Sequence, residues 1–157
     1  MEDEGEINME NVIKKYIERI GGIKKEKLDI PNMDFAFKFK YPNPQVGRGF
    51  IVIKRKDKQI IEIFTRTHLS SEHSNTYLAL PQKKKRELIK SINKKILENV
   101  LTTSLRFEDK QLFAIIEKIY FDNEEDLNIN QFYKTVRRIY SCAMECVILI
   151  QDFFSKY

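Results

Sequence analysis

The sequence predicts an α+β domain of two layers, an antiparallel sheet of about five strands with helices on one face. Three observations predict it. Phe35, Phe37, Phe39 and Tyr41 alternate with Ala36, Lys38 and Lys40, the strict period of two of a half-buried strand. The run from Phe113 to Phe121 is strand-like and leads through an acidic turn into one long amphipathic helix. Met9, Val12, Ile13, Tyr16, Ile17 and Ile20 recur at the spacing of a helix with one apolar face.

Taken in order, the chain reads α-β-β-β-α-β-β-α. Asn8 is a good cap for the first helix, and Gly21-Gly22 stops it. A short basic connector is expected from Ile23 to Asp29. The first strand follows Pro31-Asn32 and ends at Pro42-Asn43-Pro44. Phe50 to Lys54 and Gln59 to Thr67 are the next two strands, joined by the charged tip Lys54-Arg55-Lys56-Asp57-Lys58. Residues 68–80 read as irregular, or as a short turn of helix.

Pro81 suits the first turn of a helix that runs to about Asn99. Its inner face is Leu88, Ile89, Ile92, Ile96 and Val100, and its outer face carries Lys83, Lys84, Lys85, Arg86, Lys90 and Lys94. Leu101 to Phe107 and residues 111–121 are the last strands. Asn128 or Asn130 caps the final helix, whose inner stripe is Ile129, Phe132, Tyr133, Val136, Ile139, Tyr140, Ala143, Val147, Ile150 and Phe154. From Met144 to Ile150 this helix is apolar on nearly all sides, so it must be covered on more than one face.

Composition bounds the function classes. At 157 residues the chain is long enough for one domain with a real core, expected over residues 8–157 behind an acidic tail at 1–7. No apolar run reaches the roughly 20 residues that span a bilayer. The opening Met1-Glu2-Asp3-Glu4-Gly5-Glu6 lacks the charge and apolar stretch of a secretory signal, so a cytoplasmic protein is expected. Lysine greatly outnumbers arginine, a bias shared with AT-rich genomes and hyperthermophiles. The net charge of +5 permits nucleic-acid binding without arguing for it, because acidic residues nearly balance the basic ones.

Three stretches carry a family resemblance. They are Pro31-Asn32-Met33-Asp34-Phe35-Ala36-Phe37 with Pro42, Leu112-Phe113 through Ile119-Tyr120-Phe121-Asp122, and Phe132-Tyr133-Lys134-Thr135-Val136-Arg137-Arg138 with the apolar helix end after it. With these, the chain resembles a mainly archaeal family of uncharacterised small proteins assigned to the type III secretion chaperone-like fold. The resemblance covers nearly the whole chain and rests on core and turn residues. It implies no activity. The better-known members of that fold bind other proteins and often form homodimers, so the resemblance implies a protein-binding role. Those chaperones are commonly acidic and this chain is basic, a departure that puts a role in secretion in doubt.

No motif announces catalysis, a metal or a cofactor. The carboxylates of Asp34 and of Glu124-Glu125-Asp126 lie in turns and loops, and neighbours in one loop rarely oppose each other across a cleft. Gly47-Arg48-Gly49 lacks the spacing of a phosphate-cradling loop and reads as a turn. His68 and His73 stand five apart, which points them away from each other on a helix. Cys142 and Cys146, one helical turn apart, read as small helix-face residues.

Two readings remain. The leading one is a non-enzymatic protein-binding module, chaperone- or adaptor-like and homodimeric, with the surplus apolar residues Met144, Ile148, Leu149 and Phe153 as its interface. The alternative is a nucleic-acid-associated protein that uses Lys83, Lys84, Lys85, Arg86, Arg137 and Arg138. Positive charge in a first helical turn opposes the helix dipole, a small cost that hints at a use. Neither reading calls for a cofactor, a metal or a small-molecule substrate.

Overall fold

The computed structural model describes residues 8–21, 23–43, 47–99, 101–106 and 112–157. Residues 1–7, Gly22, residues 44–46, Val100 and residues 107–111 lie outside the described residues. The elements are α1 (Met9–Arg19), β1 (Ile23–Lys27), β2 (Met33–Tyr41), β3 (Arg48–Arg55), β4 (Ile60–His68), α2 (Ser71–Ala79), α3 (Gln82–Glu98), β5 (Thr102–Arg106), β6 (Leu112–Tyr120) and α4 (Ile129–Phe154). A 3-10 turn, Glu124–Asp126, precedes α4. The strands form a six-stranded sheet in the order β1-β2-β3-β4-β6-β5.

Two elements correct the expected order. The expected connector at Ile23 to Asp29 holds β1, an edge strand antiparallel to β2, so the sheet has six strands among the described residues where about five were expected. The stretch 68–80, read as irregular or as a short turn of helix, holds α2, a helix of 9 residues. Ser70 caps it, its side chain accepting from the backbone N–H of His73 at 3.1 Å.

The chain divides into two compact units, residues 1–63 with 118–136 and residues 64–117 with 137–157. In the first, β2 and β3 pair antiparallel, with Phe37 opposite Val52 and Phe39 opposite Phe50. All four are buried and form the floor of the core. Met9, Ile13 and Ile17 of α1 are buried, and Phe132 at the start of α4 lies against both Tyr16 (5.8 Å) and Phe39 (6.4 Å). Burying side chains of this size contributes about 1.5–3 kcal/mol each. The Tyr16 hydroxyl donates to the Leu127 carbonyl at 3.0 Å, which fixes the entry of α4.

The other face of this unit mixes buried Ala36 and Ile53 with charged side chains. Lys38 and Lys118 are exposed, and Glu62 is buried between cations. Arg55 and Lys118 pair with it at 3.2 and 3.8 Å. Lys54 pairs with Asp34. The charged tip is thus partly spent on holding the hairpin. Before β3, a Cβ at Gly47 would sit 2.0 Å from the Asn43 carbonyl oxygen, so only glycine fits there.

In the second unit, Leu88, Ile92 and Ile96 of α3 and Ile139, Cys142, Ala143, Cys146, Ile150 and Phe154 of α4 are buried. The buried line on α4 runs through the two cysteines. Asn128 caps the helix, accepting from the Gln131 N–H at 2.9 Å. Tyr133, expected on the inner stripe, is 37% exposed.

Candidate functional site

The side of α4 opposite the cysteines carries Met144 and Ile148, one turn apart. They are 39% and 55% exposed. Leu149 and Phe153, the other two expected interface residues, are only half-exposed. Phe153 packs edge-on against Phe154 at 5.2 Å and touches Tyr157 at 5.6 Å, so it belongs partly to the helix end. The expected apolar surplus therefore narrows to Met144 and Ile148.

The neighbour of this surface is α3, running antiparallel. Its C-terminal end meets the middle of α4, where the Asn99 side chain donates to the Glu145 carboxylate at 3.2 Å. Its N-terminal end lies within electrostatic reach of Tyr157: Lys84 is raised above the ordinary lysine pKa by its hydrogen bond to Glu87, and Tyr157 adds to the effect.

This arrangement separates the expected basic residues. Lys83–Arg86 lie beside the end of α4 and Arg137 lies twenty positions back, about 30 Å along the helix at 1.5 Å per residue. The two clusters do not converge. Some members are also engaged elsewhere. Lys84 pairs with Glu87 at 3.1 Å, and Arg138 pairs with Glu117 at 3.5 Å. Lys85 is not outward-facing as expected but lies over the Tyr77 ring, 5.5 Å from its centre. Lys83, Arg86 and Arg137 stay exposed.

The other sequence candidates have local structural roles. Asp126 accepts from the backbone N–H groups of Asp122 and Asn123 at 3.2 and 3.0 Å, so its carboxylate shapes the turn before α4. His68 ends β4, whereas His73 sits in α2 and stacks on Phe154 at 4.6 Å. Cys142 and Cys146 are free and fully buried. A hydrogen bond from Cys146 to Cys142 holds the Cys146 proton in place, and burial pushes that thiol further up.

A feature the sequence did not announce lies in the first unit. A cleft of about 690 Å³ opens between Lys58, Gln59, Ile60, Tyr120, Phe121, Asp122 and Asp126. The Phe121 N–H donates to the Gln59 carbonyl at 3.2 Å across its base. Tyr120 forms one wall and is 69% exposed. Nothing in the sequence pairs residues 58–60 with 120–126, because the juxtaposition arises from sheet order.

The sequence signature of one family, described as uncharacterized conserved protein (DUF2299), spans residues 9–150. The chain belongs to the DUF2299 family. A solved structure of similar fold is an uncharacterized protein from Methanothermobacter thermautotrophicus, 19% identical, with a TM-score of 0.78. The match covers 92% of this chain and 98% of that one. At that identity the likeness shows the fold alone. No curated protein matches the chain. Among the described residues, no helix of this DUF2299 member is long and apolar enough to cross a membrane.

Proposed function

We propose that this protein is a non-enzymatic protein-binding module of the adaptor or chaperone kind, built on a helix-backed sheet like that of the type III secretion chaperones. The observation that carries the reading is the exposure of Met144 and Ile148 on the outward side of α4, whose other side is fully buried. Apolar side chains one turn apart on a rigid helix make an anchor for a partner, and covering each contributes about 1.5–3 kcal/mol. A symmetric homodimer through α4 and a complex with a different protein both satisfy this surface.

Light scattering at several concentrations, with the wild type beside Ile148→Asp, tests the reading. Concentration-dependent association abolished by the substitution gives a homodimer. A monomeric wild type that captures a nuclease-resistant protein partner, lost in Ile148→Asp, gives a hetero-complex. A monomer that captures no protein ends the proposal.

Nucleic-acid binding is the second reading. It draws on the exposed cations of α3, and it is weakened by the separation of Lys83–Arg86 from Arg137. Retention of nucleic acid at low salt, lost when Lys83 and Arg86 are neutralised, is its expected sign.

A further inference from the structure

The outer surface of α3 has a charge pattern that its own helix does not neutralise. Both acids of α3 are engaged with neighbours on the same helix: Glu87 with Lys84 at 3.1 Å and Glu98 with Lys95 at 3.6 Å. Lys83, Lys90 and Lys94 are exposed on the side opposite the buried Ile92 and have no ion pair among the described residues. From Lys83 to Lys94 this stripe is about 16 Å long, three turns of helix.

The stripe begins beside the apolar anchors at Lys94 and runs on toward the C-terminal end of α4. Because α3 and α4 run antiparallel, Lys94 is level with Ile148 and Leu97 with Met144, while Lys90 and Lys83 continue the outward side of α3 toward the C-terminal end of α4. Leu97, 71% exposed near the Asn99–Glu145 contact, adds an apolar point at the α3 end. A phosphate backbone would satisfy the lysines and leave Met144, Ile148 and Leu97 uncovered. A second copy would cover the apolar residues and bring a second lysine stripe to the same interface, where like charges repel.

Building on the protein-binding reading, we infer that the α3–α4 surface receives an acidic amphipathic helix from a different protein. Its apolar side covers Met144 and Ile148, and carboxylates spaced over three turns face Lys83, Lys90 and Lys94. Helix-in-groove recognition of this kind needs anchors at helical spacing and flanking charge of one sign, and both are present. The lysines contribute chiefly to the rate of encounter and to partner choice, the apolar anchors to lifetime.

The test is selection from a randomised display library of helical peptides on the full chain, followed by fluorescence anisotropy of an enriched peptide. The inference expects enriched sequences with an excess of Asp and Glu beside an apolar stripe. It expects affinity to fall at least tenfold with Lys83→Glu, Lys90→Glu and Lys94→Glu combined, and again with Ile148→Asp. Raising salt should weaken the first contribution and spare the second. Enriched peptides without acidic bias, binding that survives the triple reversal, or a library that yields no binder overturns it. If light scattering also shows a dimer broken by Ile148→Asp, the occupant is a second copy, and the inference fails while the protein-binding reading stands. Sedimentation with phosphatidylserine vesicles that depends on Lys83, Lys90 and Lys94 in place of peptide binding also overturns it.

Discussion

Arg55 meets Glu62 across the β3–β4 hairpin as a two-pronged ion pair, with Nε to Oε1 and Nη2 to Oε2 both at 3.2 Å. Lys118 adds a third, longer contact at 3.8 Å. Glu62 is buried, so its carboxylate depends on these partners for the solvation it has lost. Arg55→Ala is expected to destabilise the fold by about 1–3 kcal/mol, less than a fully buried pair because the arginine is partly exposed. Urea unfolding of Arg55→Ala, Glu62→Gln and the double variant measures the coupling, and additive effects would show that the pair is idle.

Phe132 joins Tyr16 and Phe39 in one aromatic cluster and is fully buried. Phe132→Ala should cost about 3–5 kcal/mol through lost transfer energy and the cavity left behind. Phe132→Leu should cost much less. The thermal midpoints of the two variants check the ordering.

The Asn128 side chain closes the first turn of the longest helix. Asn128→Ala should cost about 1 kcal/mol and Asn128→Asp should cost little, because either oxygen accepts the same N–H bond. Equal stability of the wild type and the alanine variant would mean that water or a neighbour replaces the cap.

Burial raises the Tyr77 phenol above the ordinary tyrosine value. The native state therefore keeps this proton to higher pH than the unfolded chain does. Its contribution to stability is whole below about pH 10 and is lost as pH rises through the native value. Stability measured from pH 9 to 11 should fall less steeply in Tyr77→Phe than in the wild type.

Cys142 and Cys146 are both inaccessible. A thiol-specific dye should label neither in the native protein at pH 8, and both once it is unfolded. Rapid labelling of the native protein would show that the α4 core opens locally.

The legible part of the fold was the part with strong periodicity. β2 alternates four aromatic residues along one face, and α1 and α4 carry clear helical stripes. β1 escaped notice because Ile23-Lys24-Lys25-Glu26-Lys27 has a single apolar residue. It is a strand through its pairing with β2, with a bulge between Ile23 and Glu26. α2 escaped because Tyr77 is its one buried residue among the described ones, so its helix owes more to the Ser70 cap than to a stripe. At the candidate site, the apolar surplus of Met144 and Ile148 was visible in the sequence. The division of the lysines was not. Lys85 stacks on Tyr77 and Lys84 pairs with Glu87, whereas Lys83, Lys90 and Lys94 stay open, and only the antiparallel relation brings the Lys94 end of that stripe level with Ile148.

The crowding at Gly47 bears on how this sequence can drift. Most surface turns accept many residues, and homologues wander freely through them. Here even an alanine methyl group would meet the Asn43 carbonyl oxygen at 2.0 Å, so any substitution forces the backbone there to shift. A relative with any side chain at this position must also have moved the Asn43 carbonyl away from it. Relatives that keep the close approach of Gly47 to Asn43 are therefore expected to keep the glycine, which makes this position a candidate anchor for aligning them.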